Sequence, residues 1–215
     1  MTFQHQIGYN HFILNDMKWG AIMVRQREFD VDKALDAAMQ LFWEKGYEAT
    51  SLSDLTSAMG IQRPSIYSTF GDKKELFEAA LRRYTSAHAA GIRAKLQHHP
   101  SVKEAFRVFF EGLVEEEYAG TGNRGCFCIN TMVELAPHDA KFEILTREHE
   151  MYLAAMFQET IEKGLRSGEL QAGLDAKALA QTLVVSLIGL TVIMKARPER
   201  AFVEHSVETM LSLIK

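Results

Sequence analysis

Residues 50–77 read TSLSDLTSAMGIQRPSIYSTFGDKKELF, and this stretch decides the fold of the chain. It predicts two short helices joined by a tight turn, followed by the start of a third. Ser51 and Asp54 have the spacing of a capping box, in which each side chain bonds the other residue's backbone N–H. Gly60 stands where the first helix ends, because glycine tolerates a positive φ. Pro64 suits the first turn of the next helix, where its missing N–H would be unpaired anyway.

The second short helix has an apolar back and a polar front. Ile66 and Phe70 point to one side, which leaves an arginine, serine, tyrosine and threonine on the others. An arginine can bind guanine, serine can read either base edge, and tyrosine and threonine can bond phosphates, so this front suits a DNA major groove. Two short amphipathic helices joined at a glycine also occur in all-α proteins that bind no DNA, and this alternative stays open on the motif alone.

Further landmarks surround these helices. Upstream, an apolar stripe beginning at Val31 predicts a helix that stops at Gly46. Downstream, Asp72 can cap a long helix that runs to about His98. Lysines in its first turn lie at the positive end of the helix dipole, which is mildly unfavourable. A DNA phosphate bound opposite them would explain this arrangement.

The landmarks follow one another without insertion between residues 31 and 84. In order, they are Lys45, Gly46, Tyr47, Ala49, Thr50, Ser51, Asp54, Leu55, Ala58, Met59, Gly60, Ile61, Ile66, Tyr67, Phe70, Lys74, Glu75 and Leu76. With these residues at these spacings, the segment resembles the DNA-binding domain of the tetracycline-repressor (TetR/AcrR) family. Met59, Pro64 and Thr69 depart from the family's usual residues, at positions that vary with the DNA sequence read.

The resemblance implies an all-α protein with two parts. We expect an N-terminal three-helix helix-turn-helix DNA-binding domain at 23–72 and a C-terminal helical ligand-binding and dimerisation domain at 73–215, linked by the helix 73–98. Carried over by position, the expected base-facing residues are Arg63, Pro64 and Ser65, and the expected phosphate contacts are Ser51, Ser53, Tyr67, Thr69 and Lys73.

The first residues form a separate segment. Residues 1–22 show no helical or strand period and no basic start followed by an apolar run, so they do not read as a signal peptide. We interpret them as a disordered extension. An arm that lies on DNA or on the domain is the alternative, with Lys18 and Trp19 as its only support.

Charge is divided unevenly along the chain. The 215 residues carry a formal net charge of −4, with 47% hydrophobic residues. Residues 23–98 hold eleven Lys and Arg against ten Asp and Glu, whereas residues 99–215 hold twelve against seventeen. DNA binding would therefore depend on a few well-placed contacts and on dimer symmetry. The apolar run 183–194 is too short for a membrane span, so we expect a cytoplasmic protein without a membrane partner.

The last two predicted helices are apolar on more than one side. A helix that is apolar most of the way round must be buried, and a second copy of the chain is the simplest partner. One wide core within a single chain is the alternative. The resemblance favours a homodimer, whose twofold axis would match a palindromic double-stranded operator. The residues expected at the interface are Leu183, Leu187, Thr191, Val207, Met210 and Leu211.

The second domain is rich in aromatic and methionine side chains. Methionine adapts to ligands of varied shape, although a plain core explains any single residue equally well. A pocket for a small-molecule effector follows from the resemblance alone, and no cofactor is expected. The residues expected to bind the effector are Phe106, Phe109, Phe110, Cys126, Met132, His149, Tyr152 and Met156.

The chain has two cysteines, Cys126 and Cys128. Their number argues against a disulfide framework, and their surroundings match no zinc pattern. A predicted helix start and Arg124, two residues before, would lower the pKa of Cys126 and permit sensing of an oxidant or electrophile. Two small apolar residues beside a pocket would look the same. Cys128 is expected to be buried and inert.

The sequence favours a ligand-responsive DNA-binding transcriptional regulator, most simply a repressor that leaves its operator when a small molecule binds. No glycine-rich phosphate loop, H-E-x-x-H motif or nucleophile motif is visible, so we expect no enzymatic activity. The alternatives are an all-α small-molecule-binding or detoxifying enzyme, a thiol-based redox or electrophile sensor, and a protein-interaction module.

Overall fold

The computed structural model describes residues 29–120 and 124–215, and within these ranges it contains nine helices and no strand. The predicted all-α fold class is confirmed. The predicted extension at 1–22 and the first residues of the predicted DNA-binding domain, 23–28, lie outside the described residues. The helices are α1 Val31–Lys45, α2 Leu52–Met59, α3 Arg63–Phe70, α4 Lys73–His98, α5 Val102–Ala119, α6 Phe127–Glu134, α7 Ala140–Ser167, α8 Ala176–Met194 and α9 Arg200–Leu211.

The predicted capping box and turn between α2 and α3 are confirmed. The N–H of Ser51 donates to Asp54 Oδ2 at 3.0 Å, and the N–H of Asp54 donates to Ser51 Oγ at 3.1 Å. Gly60 ends α2 in the left-handed region, with φ 65°. Behind this turn, Leu55 and Ile66 are fully buried, so the two short helices are held at a fixed angle against α1 and α4.

Helix α4 links the two halves of the molecule. Its first turns place Leu76 and Phe77 in the core beneath α1–α3, and its last turns place Ile92 and Leu96 in a second core. The guanidinium of Arg83 reaches across to α1, where it pairs with Asp36 and, at 2.9 Å, with Asp32. A shift of α4 would therefore be transmitted to the helices of the DNA-binding half.

The core beneath α1–α3 also includes side chains from the second half of the chain. The ring of Phe77 packs edge-on against Phe127 of α6 and Phe142 of α7, with ring centroids 5.2 Å apart in both pairs. The core of the DNA-binding half therefore does not end at residue 72, the boundary expected from the sequence. Side chains of α6 and of the first turns of α7 belong to the same core.

The remaining helices, α5, α7, α8 and α9, enclose the second core. Asp139 and Asp175 cap the N-termini of α7 and α8, and Gly168 ends α7 with φ 76°. Helix α9 begins at Arg200, with Glu199 at its N-terminal boundary.

Helix α8 is longer than the apolar run in the sequence suggested. It has 19 residues and is apolar enough, by length and composition only, to cross a membrane, which corrects the expectation that the run is too short. A core helix passes the same test, and α8 packs along α7 with a row of buried leucines that includes Leu183 and Leu187.

Candidate DNA-binding surface and ligand cavity

Helix α3 presents an exposed polar front, as the sequence indicated. Arg63 and Pro64 are exposed in its first turn, and Tyr67 follows one turn later with 51% of its surface exposed. Arg63 makes no hydrogen bond or ion pair with any residue of the described ranges. Its guanidinium is therefore free to bind a base edge or a phosphate.

The other predicted DNA contacts lie close to this front. Ser53 is exposed at the start of α2, while Ser65 and Thr69 are half-buried on α3. Ser51 is exposed, but its hydroxyl is engaged in the capping box, where it also donates to Asp54 at 2.8 Å. Gln62 was missed by sequence reasoning, although its place directly before α3 could have indicated it. Gln62 is exposed and makes no side-chain cap bond.

The two lysines at the start of α4 are partly engaged within the protein. The ammonium of Lys73 lies 4.2 Å from the centre of the Tyr47 ring, and Lys74 forms an ion pair with Asp139 at 2.5 Å. Lys73 stays a candidate for phosphate contact. The ion pair of Lys74 fastens the first turn of α4 to the start of α7.

A cavity of about 430 Å³ lies where the two cores meet. Helices α4, α5, α7 and α8 supply most of its wall, and α1 and α6 close the end that faces the DNA-binding half. Its lining residues are Trp43, Tyr84, His88, Gly91, Ile92, Lys95, Phe109, Leu113, Glu116, Glu117, Arg124, Gly125, Cys126, Ile129, Glu150, Leu153, Leu187, Thr191 and Met194.

Only Phe109 and Cys126 of the predicted effector-binding residues line this cavity. Phe106 and Phe110 are fully buried in the second core, where each ring makes a T-shaped contact with Phe157. The others lie outside the cavity wall: Met132 is half-buried on α6, His149 and Tyr152 face a separate groove between α4 and α7, and Met156 lines another depression.

Several cavity residues were missed by sequence reasoning. Glu150 could have been found, because it shares the buried side of α7 with Thr146 and Leu153 at helical spacing, where a carboxyl is unexpected. Trp43 and His88 gave no comparable signal, since aromatic residues on helices are usually part of a core.

The pKa values of Glu150 and of two histidines at the cavity are shifted in the direction that favours the neutral form of each group. Burial raises the pKa of Glu150 to about 7. Burial also lowers the pKa of His88 and of His149 to about 4, and their rings meet with Nδ1 of His88 3.1 Å from Nε2 of His149. Both imidazoles are therefore neutral at pH 7.

The thiols do not have the predicted reactivity. Both are free and buried, and burial raises the pKa of Cys126 and of Cys128 above the ordinary thiol value. The guanidinium of Arg124 lies 4.1 Å from the centre of the Trp43 ring and bonds Gln40 instead of stabilising a thiolate. The hypothesis of a lowered Cys126 pKa is thus wrong, because proximity in sequence does not bring Arg124 to the sulfur. The buried position expected for Cys128 is confirmed.

Helix α6 connects the cavity to the DNA-binding half at both of its ends. Before α6, the carbonyl of Gly125 accepts a 2.9 Å hydrogen bond from Trp43 Nε1 of α1. At its last residue, the carboxylate of Glu134 accepts from the N–H groups of Tyr47 and Glu48, at 3.1 and 2.9 Å. These bonds fix the turn that leads from α1 to α2.

The predicted dimer residues require correction. Five of the six are buried within one chain, because α8 and α9 turn them toward α5 and α7, and only Leu211 is partly exposed. Leu187 and Thr191 belong to the cavity wall. Side chains buried in their own chain offer almost no surface to a second copy. The five are Leu183, Leu187, Thr191, Val207 and Met210.

The opposite faces of α8 and α9 are exposed and largely apolar. Along α8 and just beyond it, one set of exposed positions recurs at alternating steps of four and three residues, which is the spacing of a coiled-coil seam. They are Ala178, Thr182, Val185, Gly189, Val192 and Ala196, with Ser186 half-buried beside them. On α9 and just beyond it, Phe202, Ser206, Thr209 and Leu213 repeat the pattern.

Family models match both halves of the chain. The model described as "Bacterial regulatory proteins, tetR family" matches residues 34–80, and "Tetracyclin repressor-like, C-terminal domain" matches residues 102–210. The chain belongs to the TetR family of bacterial regulatory proteins. This TetR-family chain is a DNA-binding transcriptional regulator and not an enzyme.

Similar proteins match more than three quarters of the TetR-family chain. The uncharacterized HTH-type transcriptional regulator YezE of Bacillus subtilis (strain 168) is 34% identical over 193 residues, which are 89% of this chain and 100% of that protein. The HTH-type transcriptional repressor ComR of Escherichia coli (strain K12) is 35% identical over 170 residues, 78% of this chain and 80% of ComR.

Solved structures show the same fold. A cysteine mutant of the TetR family transcriptional regulator CifR, complexed with a 26 bp double-strand operator DNA, matches with a TM-score of 0.74 and 34% identity. The match covers 89% of this chain and 100% of that one. A TetR-family regulator from Cytophaga hutchinsonii, at 24% identity and a TM-score of 0.76, supports the fold alone.

Proposed function

We propose that the protein is a homodimeric repressor that leaves a palindromic operator when a small molecule enters the cavity between the two cores. The observation that carries this proposal is the double attachment of α6. The same short helix supplies cavity wall through Ile129 and holds the DNA-binding half through Glu134. A ligand that moves α6 must therefore move α1 or break these bonds.

The DNA-binding part of the proposal is supported by relatives and by exposure. ComR and BdcR of Escherichia coli are named as repressors, and CifR mutants are complexed with operator DNA. In this chain the corresponding surface is the exposed front of α3, with Arg63 and Tyr67 as its most prominent side chains. We place the protein in the cytoplasm, where bacterial DNA lies.

The dimeric part of the proposal is supported by the exposed seams of α8 and α9. Val185 has 68% of its surface exposed and Phe202 has 56%, although both are large and apolar. Gly189 lies one turn after Val185 on α8 and has no heavy atom within 4 Å of where a Cβ would be, so that two copies of α8 can approach closely. Pairing of the seams from two copies would bury these side chains in a four-helix contact.

The dimer would release its operator if the bound ligand changed the relative population of two dimer states, only one of which fits the DNA. Helix α4 also lines the cavity, through Tyr84, His88 and Ile92. The first turns of the same helix share a core with α3, the helix that we expect to read DNA. A ligand that prefers a shifted α4 and α6 alters the spacing of the two α3 helices in the dimer. Its effect is limited to its difference in affinity for the two states.

The test is a fluorescence anisotropy titration of a labelled duplex taken from the region upstream of the protein's own gene, with a shuffled duplex of equal length as the control. Tighter binding to the upstream duplex at 150 mM salt, with two chains bound per duplex, is expected. Equal affinity for both duplexes, or one chain per duplex, would contradict the proposal.

A further inference from the structure

The cavity has an aromatic wall, formed by Trp43, Tyr84 and Phe109. Tyr84 meets the edge of the Trp43 ring at a centroid distance of 4.9 Å. Aliphatic side chains from α4, α5, α7 and α8 complete the lining. A drug-sized molecule with an apolar body fits a space of this size and character.

The cationic side chains of the wall already make contacts within the protein. Lys95 forms an ion pair with Glu116 at 2.7 Å. Arg124 lies over the Trp43 ring and donates to Gln40, while His88 is neutral at pH 7. Among the described wall residues, Arg124 is therefore the one cation without a carboxylate partner, and its guanidinium is already held against the Trp43 ring.

Two carboxyl groups of the wall, in contrast, lack partners. Oε2 of Glu150 and Oε1 of Glu117 are buried and make no hydrogen bond to any residue in the described ranges. Neither residue forms an ion pair within those ranges. A buried carboxyl without a partner costs stability, so its presence at a binding cavity calls for a ligand that satisfies it.

We propose that the effector is an amphipathic organic cation, whose ammonium group pairs with Glu150 and whose apolar body packs on the aromatic wall. The inference rests on the proposed function only in taking this cavity as the effector site. Glu117 adds a second negative charge from α5. An anionic ligand would gain no ion pair from these two carboxyl groups, and a neutral one would form none with Glu150.

The surroundings of Glu150 favour an ammonium over a metal ion or a neutral donor. Aromatic faces attract organic cations through their quadrupoles, and the stacking of Arg124 on Trp43 shows that this wall accepts a cation. Burial raises the pKa of Glu150 to about 7, and a bound ammonium would favour the ionised carboxylate. Affinity for such a cation should therefore rise with pH as Glu150 loses its proton.

The test uses three probes of matched shape: 4-phenylbutylamine, which is cationic at pH 8, 4-phenylbutanol, which is neutral, and 4-phenylbutyrate, which is anionic. Calorimetry on the full-length protein without DNA measures their affinities for wild type, Glu150→Gln and Glu117→Gln. The matched control is Glu148→Gln, an equal charge change on the exposed side of α7.

We expect the amine to bind wild type most tightly and to lose affinity by about tenfold or more in Glu150→Gln, with a smaller loss in Glu117→Gln. Glu148→Gln should bind the amine as wild type does, and the alcohol should bind all variants alike. Equal affinities of the three probes, no measurable binding of the amine, or an unchanged amine affinity in Glu150→Gln overturns the proposal.

A separate arm adds the same probes to the protein–operator complex. Release of DNA by the amine but not by the alcohol supports both the ligand class and ligand-triggered release. If the amine binds through Glu150 and the DNA stays bound, the ligand class is supported and the proposed release is wrong. Release by the alcohol at equal concentration overturns the ligand class while the release mechanism stands.

Discussion

The indole Nε1 of Trp43 donates a 2.9 Å hydrogen bond to the carbonyl oxygen of Gly125, so that α1 of the DNA-binding half is tied to the rim of the cavity. The same indole carries the guanidinium of Arg124 on its face and the ring of Tyr84 at its edge. A ligand against this wall therefore touches a residue of the DNA-binding half directly.

Replacement of Trp43 by phenylalanine should keep the ring contacts and remove the hydrogen bond. We expect the free energy of unfolding to fall by about 1 kcal/mol and the amides of α6 to exchange faster with deuterium. The matched control is Tyr118→Phe, which removes a 2.7 Å bond from a side chain to the carbonyl of Pro198 in the other core. Equal α6 exchange in the two variants would show that the indole bond does not hold α6.

Arg63 and Lys73 should contribute to DNA binding in different ways. Arg63→Ala should lose roughly 1–3 kcal/mol of discrimination at one base pair, because we expect the exposed guanidinium to bind a base edge. Lys73→Ala should weaken all sequences alike and lower the salt slope by about 1. Titrations of specific and random duplexes at several salt concentrations separate the two effects. Equal losses on both duplexes for Arg63→Ala would exclude it from base reading.

Val185→Glu should abolish the dimer without unfolding the chain. The side chain is exposed in one chain, so the substitution should change the free energy of unfolding of the monomer by no more than about 0.5 kcal/mol, whereas a buried charge at the contact prevents pairing. Light scattering should report monomers that no longer bind the operator. The control is Val133→Glu on α6, since Val133 and Val185 are both 68% exposed. A dimeric Val185→Glu protein would place the interface elsewhere.

Substitution at Leu187 would not give so clean a test. Its side chain is buried in the cavity wall, so that Leu187→Glu would place a charge inside the fold and destabilise the chain itself. Loss of DNA binding in that variant would report unfolding as readily as dissociation.

Glu150 should make the stability of the protein depend on pH. Its pKa in the folded state, about 7, lies above the ordinary carboxyl value, so the folded chain holds this proton more tightly than the unfolded chain. The stability that this proton contributes is fully present below about pH 4.5 and is lost as the pH rises through 7. Glu150→Gln, which cannot ionise, should therefore gain about 1–3 kcal/mol relative to wild type between pH 5 and pH 8.

Urea titrations of wild type and Glu150→Gln at both pH values measure this difference, and Glu148→Gln serves as the control. The groups facing the cavity with Glu150 are Tyr84, His88, Lys95, Glu116, Glu117, Arg124 and Cys126, and they are common to all three proteins. A gain that is independent of pH would show that Glu150 is ionised in the folded protein at pH 5.

The boundaries of α3 and of the helices next to it could be predicted, because the residues that cap and end these helices lie within a few positions of one another. Ser51 with Asp54, and Asp72 with Glu75, form capping boxes within four residues, and Gly60 adopts the positive φ that its position required. Exposure of Arg63 and Tyr67 followed from the apolar pair Ile66 and Phe70, which marks another face of α3 as the buried one.

The dimer residues could not be assigned correctly because α8 is apolar on both faces. Leu187 and Val185 are equally good candidates by composition, and only the packing of α7 decides that the leucine points inward. The alternating spacing of the exposed seam is visible in the sequence, but an inward stripe with similar spacing runs beside it.

The lining of the cavity and the pKa of the Cys126 thiol depend on contacts between residues far apart in the chain. Arg124 is two residues from Cys126, yet its guanidinium lies on Trp43, more than eighty positions away in sequence. The aromatic residues that seemed suited to a pocket, such as Phe106, instead fill the core, because α5 turns them toward α7.

Selection from a library of random duplexes tests the central claim most directly, since it needs no knowledge of the regulated genes. A homodimer that reads DNA with α3 should enrich an inverted repeat, with half-site centres about 10 bp or a multiple of that apart. Arg63→Ala should relax one symmetric pair of positions in that repeat. Enrichment of no motif at 150 mM salt, or of a single site without symmetry, would contradict the account.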